Sequence, residues 1–442
     1  MNSIINKKEP LILFLGDLAV FYFSVWATLI LRHLDFPSSI EVISHLQPFS
    51  ILFVSWIFVI YVAGLYDRMN VDIKRNLPRA LFNTQIVNII LAVVFFYFSP
   101  SFAITPKTTL FIYLVVSLGL LMLWRIYIYP RIYSGTKNKA ILIARGSEMR
   151  ELLETINGGN YSYYFSSYVD LDKLDSIDVQ RDIVELVYSD DAKTIVVDTE
   201  DDAIIPILDH LYNLMFSKVN FVDMHILYEQ IFGKIPLSIV KHGWFLKNVN
   251  TERHVIYDGV KRAFDIIFAL IIGLFSLIFY PIVWLLIKID DHGEIIHIDE
   301  RIGQDNKKIF IFKFRTMAEV NGKKEVTKIG RYLRVARIDE LPQILNVLKG
   351  DLSLIGPRPE KNELVSVYAD QIPYYKVRHL IKPGLSGWAQ IYHDAHPHHA
   401  VDINETKNKL SYDLFYVKNR SLFLDLEIGL KTLRTIFLRK GR

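Results

Sequence analysis

The stretch FDIIFALIIGLFSLIFYPIVWLLIKID, residues 264–290, decides how this chain is built. As a straight helix its apolar part, residues 264–287, would be about 36 Å long, which is enough to cross a bilayer. Basic residues nevertheless stand on both sides of it: Lys261, Arg262, Lys288, Arg301, Lys307, Lys308, Lys313 and Arg315. Since lysine and arginine mark the cytoplasmic flanks of membrane segments, the pattern favours a re-entrant helix that enters and leaves by one face.

Two residues inside the run predict where it bends. Pro281 lacks an N–H and breaks the helical hydrogen-bond ladder, and the hydroxyl of Ser276 can satisfy carbonyls freed near the bend. An ordinary fifth span that crosses the membrane stays the alternative.

Four further apolar runs precede this stretch and have the length of membrane-spanning helices: residues 11–31, 48–65, 81–98 and 109–128. Basic residues gather before the first run, in the loop 67–79 and in residues 130–139, and the other two loops carry few. Residues 1–130 are therefore predicted to form a four-helix transmembrane domain with both ends on the cytoplasmic face. Arg125, near the end of the fourth run, is expected to snorkel to the membrane interface.

Composition narrows the classes of function. The 442 residues are 51% hydrophobic, which is typical of a membrane protein, and the lipid bilayer is the first partner expected. The absence of cysteine excludes disulfides, thiolate metal sites and a cysteine nucleophile. A net charge of +4, shared between loops near the membrane and the C-terminal region, suggests contact with anionic lipid or phosphate and argues against nucleic acid.

The pattern changes in residues 131–255, where short apolar runs alternate with helical stretches. Strands are predicted at residues 139–144, 163–170, 193–198 and 218–223, with a helix at SEMRELLETI between the first two. This alternation indicates a Rossmann-like α/β domain with a mainly parallel sheet. The segment after the first strand, RGSEMRE, has one glycine where a dinucleotide fingerprint needs several, so the domain is interpreted as degenerate.

Two adjacent carboxylates, Asp339 and Glu340, stand in the sequence RIDELPQ. The run LPQILNVLKGD that follows has an apolar stripe at Leu341, Ile344, Leu345 and Leu348 and a natural stop at Gly350, so it predicts a short helix. Acids at a helix N-terminus stabilise its dipole, but the same place also suits a phosphate-handling site. The pair alone leaves both interpretations open.

Ordered motifs in the C-terminal part resolve this question. Two strands around a turn at residues 303–307 are followed by RIDELPQ, by GDLSLIGPRPE, by IKPGLSGWAQ and by LSYDLFYVKNRSLFLDL. With KRAFD at residues 261–265, these motifs resemble the bacterial sugar transferase family, the monotopic polyprenyl-phosphate glycosyl-1-phosphate transferases. The regions in front match that family's large form, so the resemblance covers essentially the whole chain.

The resemblance implies an enzyme of the bacterial inner membrane with its catalytic domain on the cytoplasmic face. A nucleotide-diphosphate sugar, expected to be a UDP-sugar, would give its sugar phosphate to polyprenyl phosphate and release a nucleoside monophosphate. This reaction would begin the assembly of a surface polysaccharide or glycoconjugate. By resemblance Asp339 is the nucleophile that forms a covalent phosphosugar, and Glu340 is a ligand of Mg²⁺.

Further residues follow from their motif positions. Arg334 and Arg358 are the expected phosphate clamps, because a guanidinium fork matches phosphate oxygens, and Pro357 and Pro359 would hold Arg358 in an extended turn. Asp413 matches a further acid that supports the metal or the substrate, with a surface helix acid as the alternative. The remaining substrate-binding candidates are Glu300, Arg301, Lys313 and Arg315, and weaker ones are Lys382, Trp388 and Gln390.

The chain departs from the family pattern in three places. Ser276 and Pro281 are separated, where the family has an adjacent Ser-Pro pair, and Ile298 and Asp299 stand where the family more often has Arg-Gln. The tract 393–399 contains four histidines, which suggests zinc, but it lacks ordered ligand spacing and is interpreted as a solvated loop facing the substrate.

The predicted organisation is therefore a four-helix transmembrane domain at 1–130, a degenerate Rossmann-like domain at 131–255 and a phosphoglycosyl transferase domain at 256–442. Two other functions are alternatives: an inactive membrane scaffold of polysaccharide synthesis, and a membrane-tethered nucleotide-sugar oxidoreductase. The intact acid pair argues against the first and the single glycine against the second. A homodimer is one alternative for the assembly.

Overall fold

The structure is a computed structural model, and it describes residues 8–66, 71–99, 106–133, 138–159, 161, 163–172, 185, 187, 189–190, 192–216, 219–249, 255–290, 293–320, 323–392 and 401–437. The chain divides into two compact units, Met1–Leu227 and Tyr228–Arg442. The domain boundaries drawn at 130 and 255 from the sequence stay predictions.

The first unit begins with long apolar helices, α1 Lys8–His33, α2 Ser39–Val62, α3 Val71–Phe98 and α4 Pro106–Met122. A π-helical turn, Leu123–Ile128, and the short helix α5, Tyr129–Tyr133, continue α4. Four candidate membrane spans lie within the described residues, at Pro10–His33, Ser39–Val62, Leu77–Phe98 and Thr108–Ile132. The four predicted spans are confirmed, and the protein is a membrane protein.

Aromatic side chains fill the centre of this helical bundle. Phe21, Phe49, Phe53, Trp56 and Tyr113 are buried there, with neighbouring ring centroids 5.2–6.2 Å apart. Rings packed in tilted and edge-on arrangements gain attraction beyond the burial of their area.

Arg125 does not snorkel, and this sequence prediction was wrong. Its side chain is 1% exposed and lies in the π-helical turn, where Nε donates to Asp17 Oδ1 at 3.0 Å and Nη1 donates to the Leu65 carbonyl at 2.6 Å. The guanidinium also lies over the ring of Tyr66. A charge inside a bundle is tolerated where it is paired, and the partner Asp17 lies over a hundred positions earlier in the chain.

The same unit contains a parallel four-stranded sheet of order β2-β1-β3-β4. Its strands are β1 Asn138–Ala144, β2 Tyr163–Asp170, β3 Thr194–Val197 and β4 Asn220–Asp223. Its helices are α6 Gly146–Gly158 and α7 Leu208–Met215, with a 3₁₀ helix at Asp202–Ile207. The strand and helix predictions for this α/β domain are confirmed.

The second unit holds the remaining elements. The helix α8 Met224–Phe232 crosses the boundary between the units. The described helices that follow it are α9 His242–Asn248, α10 Val255–Ser276, α11 Phe279–Asp290, α12 Lys328–Val335, α13 Ile344–Lys349, α14 Asn362–Gln371, α15 Trp388–Tyr392, α16 Ile403–Asn419 and α17 Leu422–Phe437. The strands pair as β5 Ile296–Ile302 with β6 Lys308–Phe314, β7 Met317–Val320 with β8 Lys323–Val326, and β9 Ser353–Ile355 with β10 Gly384–Ser386. Short 3₁₀ helices lie at Leu237–Ile239, Gln304–Asn306, Ile338–Gln343 and Tyr375–Leu380.

The stretch 264–290 forms a bent helix pair, α10 and α11, whose axes differ by 54°. The break lies at residues 277–278, and Pro281 falls in the first turn of α11, where a missing N–H costs no helical bond. Ser276 Oγ donates to the Gly273 carbonyl at 2.7 Å, but this carbonyl also accepts from the Leu277 N–H at 3.1 Å, so it is not one freed by the bend. The bend is therefore confirmed, but it precedes the proline.

Candidate active site

The acid pair lies in the 3₁₀ helix Ile338–Gln343, which leads directly into α13. Arg337 takes a left-handed conformation with φ of 54°, which separates this helix from α12. Such backbone is uncommon for a residue other than glycine and is often found beside functional sites. Gly350 ends α13 with φ of 97°, as predicted.

The packing of α13 differs from the predicted apolar stripe. Ile344 and Val347 are buried, whereas Leu345 is 54% exposed. The predicted inward position of Leu345 was therefore wrong, because the 3₁₀ turn before Ile344 shifts which side of α13 faces the core.

Asn346 fixes α13, the helix that follows the acid pair, to the neighbouring hairpin. This fully buried side chain accepts from the Phe312 N–H at 3.1 Å and donates to the Phe310 carbonyl at 2.6 Å, so it pairs with β6 as another strand would. The contact brings Lys313 of β6 within 3.8 Å of the Glu340 carboxylate. Asn346 was missed by sequence reasoning, since an asparagine inside an apolar helix gives no signal of its partner.

Three cations surround Glu340. Arg358 Nη2 donates to Glu340 Oε1 at 3.1 Å, Lys313 Nζ lies 3.8 Å from the same oxygen, and Arg337 Nη1 lies 3.7 Å from Oε2. Burial raises the pKa of Glu340, but these three charges outweigh burial and lower the pKa to about 2. Glu340 is therefore a fixed anion at neutral pH.

The pKa of Asp339 is shifted in the opposite direction. Burial, reinforced by the adjacent Glu340 charge, raises the pKa of Asp339 to about 6, against the lowering effect of Lys313, Arg334 and Arg358. Arg334 is held in place by its Nε, which donates to Thr316 Oγ1 at 2.9 Å. Two neighbouring acids whose environments push their pKa values apart are a common arrangement in acid–base and nucleophilic sites.

Arg358 comes from the loop formed by residues 356–360, called here the GPRPE loop. The loop follows β9, and β9 pairs in parallel with β10, so the motifs SLIGPRP and KPGLS lie side by side. The glycines of both motifs are required by this close approach. A Cβ on Gly384 would lie 2.1 Å from the Gly356 nitrogen, and one on Gly356 would lie 2.4 Å from the Lys382 carbonyl oxygen.

The structure thus groups Asp339, Glu340, Lys313, Arg334 and Arg358, the last between Pro357 and Pro359. Other predicted site residues have different partners. Glu300 pairs with Lys308 at 2.8 Å, Arg301 Nε donates to Asp299 at 2.9 Å, and Arg315 Nε donates to the Met317 carbonyl at 2.9 Å.

The remaining predicted candidates lie within the packed interior or outside the described residues. Asp413 is 2% exposed and pairs with Arg378 at 2.8 Å, so it is not a surface acid. Trp388 is buried, stacks on Phe415 and donates to the Gly233 carbonyl at 2.6 Å. Lys382 and Gln390 are half-buried, and the histidine tract 393–399 lies outside the described residues.

Helix α13, which follows the acid pair directly, rests on α10, the first half of the bent pair. Arg262 donates to the carbonyls of Val347 and Leu348 at 2.6 and 2.7 Å and so caps the C-terminus of α13. Asp265 accepts from Ser353 Oγ at 3.1 Å and from the Leu354 N–H at 3.0 Å. The motif KRAFD was the sequence signal for these contacts.

The donors at the acid pair fit a magnesium ion that is shared with a substrate. Mg²⁺ is commonly bound by one or two carboxylates together with substrate phosphates. The Glu340 carboxylate has several lone pairs, and one of them accepts the hydrogen bond from Arg358, so others can ligate a metal ion. Within the described part of the chain no group of three or more His, Asp or Glu side chains could hold a metal ion, so phosphate oxygens would have to supply further ligands.

Comparison with known proteins shows the family. The family described as bacterial sugar transferase matches residues 256–439. The uncharacterized sugar transferase EpsL of Bacillus subtilis is 34% identical over 190 residues, which are 41% of this chain and 89% of that protein. The chain therefore belongs to the bacterial sugar transferase family.

Two longer relatives have named activities. A UDP-N-acetylgalactosamine-undecaprenyl-phosphate N-acetylgalactosaminephosphotransferase of Aeromonas hydrophila is 43% identical over 197 residues, 42% of this chain and 45% of that protein. A UDP-glucose:undecaprenyl-phosphate glucose-1-phosphate transferase of Escherichia coli K12 is 34% identical over 192 residues, 41% of each chain. The match thus spans less than half of the length of these two relatives.

Proposed function

We propose that this protein transfers a sugar-1-phosphate from a UDP-sugar to undecaprenyl phosphate and so begins the synthesis of a bacterial surface polysaccharide. The observation that carries the proposal is the acid pair, in which an anionic Glu340, surrounded by Arg358, Lys313 and Arg337, stands next to a less acidic Asp339. The 3₁₀ helix that carries the pair leads into α13, which rests on the bent pair. The named activities of the A. hydrophila and E. coli relatives support this substrate class.

In the first step Asp339 attacks the phosphorus that carries the sugar. A bond forms between a carboxylate oxygen and this β-phosphorus, and the bond from the β-phosphorus to the bridging oxygen breaks, so UMP leaves with that oxygen. Arg358 and Lys313 lie where they can neutralise the charge of the diphosphate, and Arg334 holds positive charge near the nucleophile.

In the second step an oxygen of undecaprenyl phosphate attacks the same phosphorus. The bond between phosphorus and Asp339 breaks, the carboxylate is regenerated and the product is the undecaprenyl-diphosphate sugar. A weakly acidic carboxylate is a better nucleophile than a strongly acidic one, and it still leaves when a phosphate oxygen displaces it.

Magnesium fits this proposal as a cofactor held by Glu340 and the diphosphate. When bound, it would neutralise phosphate charge and polarise the phosphoryl oxygens. The Glu340 carboxylate is itself held in place by two cations: Lys313 lies near one of its oxygens and Arg337 near the other.

We further infer that the bent pair α10 and α11 re-enters the cytoplasmic face. Basic residues flank it on both sides, and its 54° bend supports a segment that returns. This topology puts Asp339 where a cytoplasmic nucleotide sugar and a membrane-bound lipid phosphate can meet.

The direct test is UMP release. Purified protein in detergent should release UMP continuously from one UDP-sugar of a panel only when undecaprenyl phosphate and Mg²⁺ are present. Without the lipid phosphate, release should stop after a single turnover. Asp339→Asn should abolish both turnover and the sugar-phosphate adduct detected by intact mass, whereas Asp305→Asn, on an exposed turn, should change neither. Substantial turnover by Asp339→Asn would mean direct transfer without a covalent intermediate.

A further inference from the structure

The GPRPE loop is fixed along its whole main chain. Its two prolines cannot donate main-chain hydrogen bonds, so at these two positions the carbonyl is the main-chain group that can be held. The structure provides one main-chain anchor for every residue: Gly356 N–H to Ser386 O at 2.9 Å, Gly384 N–H to Pro357 O at 3.0 Å, Arg378 to Arg358 O at 2.9 Å, Arg301 to Pro359 O at 3.3 Å and Ile302 N–H to Glu360 O at 2.9 Å.

Arg378 makes the central one of these contacts. Its Nη2 donates to the Arg358 carbonyl and also lies 2.8 Å from Asp413 Oδ2, while its Nη1 donates to the Tyr375 hydroxyl at 2.7 Å. The guanidinium carbon lies 5.3 Å from the centre of the Tyr375 ring. Because both terminal nitrogens have partners and the side chain is 6% exposed, the guanidinium has one orientation.

Asp413 serves this arginine. Its carboxylate is buried on α16 and its partner is the Arg378 guanidinium. A buried arginine needs a counter-charge, which Asp413 supplies. The pair thereby holds the Arg378 guanidinium against the carbonyl of Arg358, and the side chain of Arg358 reaches Glu340.

We infer that Arg378, oriented by Asp413 and Tyr375, is a positioning residue that fixes the backbone of Arg358 and thereby aims the Arg358 guanidinium at Glu340 and the substrate diphosphate. The inference rests on the proposed function and deepens it. Asp413 thus acts through Arg378, rather than as a direct ligand of metal or substrate.

The geometry gives the size of the effect. Arg358 Nη2 lies 3.1 Å from Glu340 Oε1, and a displacement of about 1 Å would end that hydrogen bond. A misplacement of about 1 Å in a catalytic group lowers rates by about 100-fold.

A double-mutant cycle tests the inference. Arg378→Ala and Arg358→Ala are compared singly and together by steady-state UMP release, with kcat and the KM for the UDP-sugar measured separately. Each single change should lower kcat/KM by about 100-fold, and the share of this loss that falls on kcat and the share that falls on KM should be the same in both variants. In the Arg358→Ala background, adding Arg378→Ala should lower kcat/KM little further. Arg378→Lys should recover part of the activity, because an ammonium can still donate to the carbonyl.

Arg420 is the control, since it is an arginine of the same unit that also lies near an aspartate and over a tyrosine ring. Its Nη1 lies 3.6 Å from Asp258 and its guanidinium lies over the ring of Tyr257. Any effect of Arg420→Ala should be equal whether residue 358 is arginine or alanine.

Full additivity between Arg378→Ala and Arg358→Ala would overturn the inference. Where Arg378→Ala does not accumulate as folded protein, the nearly isosteric Asp413→Asn replaces it in the cycle, and additivity there has the same meaning. Failure of the proposed function is distinguished by the native protein, which would then release no UMP from any UDP-sugar.

Discussion

Asp339 and Glu340 are neighbours in the chain, yet their surroundings make them chemically unlike. Arg358, Lys313 and Arg337 hold Glu340 as an anion, and this anion in turn helps keep the pKa of Asp339 high. In the proposed mechanism Glu340 therefore prepares Asp339, and this effect depends on the cations arranged around Glu340.

The raised pKa of Asp339 predicts the acid side of the pH profile. Asp339 must be ionised to attack, so the rate of adduct formation should fall about tenfold per pH unit below about pH 6. Single-turnover UMP release across about pH 5–8 measures this. Glu340→Gln removes a charge that raises the pKa of Asp339, so the fall should move to lower pH. A rate that stays flat down to about pH 5 would contradict the raised pKa of Asp339, whereas its role as the nucleophile is tested by Asp339→Asn.

The proposed magnesium predicts a linked loss of metal and rate. Excess chelator should stop turnover, and added Mg²⁺ should restore it. Glu340→Gln should lower kcat and raise the Mg²⁺ concentration needed for half-maximal rate, because a carboxamide is a weaker ligand than a carboxylate. Glu300→Gln is the control, since Glu300 pairs with Lys308. Full activity in excess chelator would remove magnesium from the reaction.

At the scale of elements, the pair Arg125–Asp17 joins α1 to the π-helical turn after α4, and the Leu65 carbonyl ties in the chain beyond α2. Nearby, Gln85 donates to Ser117 and Asn88 donates to Gln85, both at 2.8 Å, so polar contacts also join α3 to α4. Helices in lipid gain little from hydrophobic burial against one another, and buried polar contacts hold them in register.

Loss of one partner of the buried pair predicts a clear loss of stability. Asp17→Asn leaves the Arg125 charge buried without its counter-charge, which should lower the free energy of unfolding by about 3–5 kcal/mol. Glu41→Gln, which removes a largely exposed pair with His33, should cost far less. Denaturant unfolding in detergent micelles compares the two variants. Equal losses would mean that the Arg125 pair does not stabilise the bundle.

The elements differ in how far the sequence could predict them. Hydrophobic periodicity was enough for the four spans, the parallel strands and the β5–β6 hairpin, because burial of one face or of a whole run fixes such elements locally. The prediction that Arg125 snorkels was wrong because a position near a helix end does not indicate a partner on another helix, here Asp17. Asn346 and Arg378 were missed for the same reason: their partners are main-chain carbonyls and side chains distant in sequence. The resemblance named Asp413, but its pairing with Arg378 depends on tertiary packing.

For the whole molecule, the proposed topology places residues before and after the bent pair on one side of the membrane. The chain contains no cysteine, so single cysteines label without background. Lys247→Cys and Lys307→Cys should resist an impermeant thiol reagent in intact cells and react after lysis. Phe36→Cys, in the exposed loop between α1 and α2, should react in intact cells and serves as the control. Labelling of the 307 variant in intact cells would mean that the bent pair spans the membrane.

The contact between α13 and α10 has a further consequence. Ala269 is fully buried against Ile344 and Val347, and a Cβ on Gly273 would lie 3.4 Å from Ile344. The acid pair is therefore held at a fixed position relative to α10. In the proposed topology and function, a lipid phosphate would reach the acid pair by lateral diffusion in the plane of the leaflet, in a two-dimensional search at constant depth. The isoprenoid tail would stay in the hydrocarbon throughout, so the protein would meet the headgroup and the first units beneath it, whatever the length of the rest.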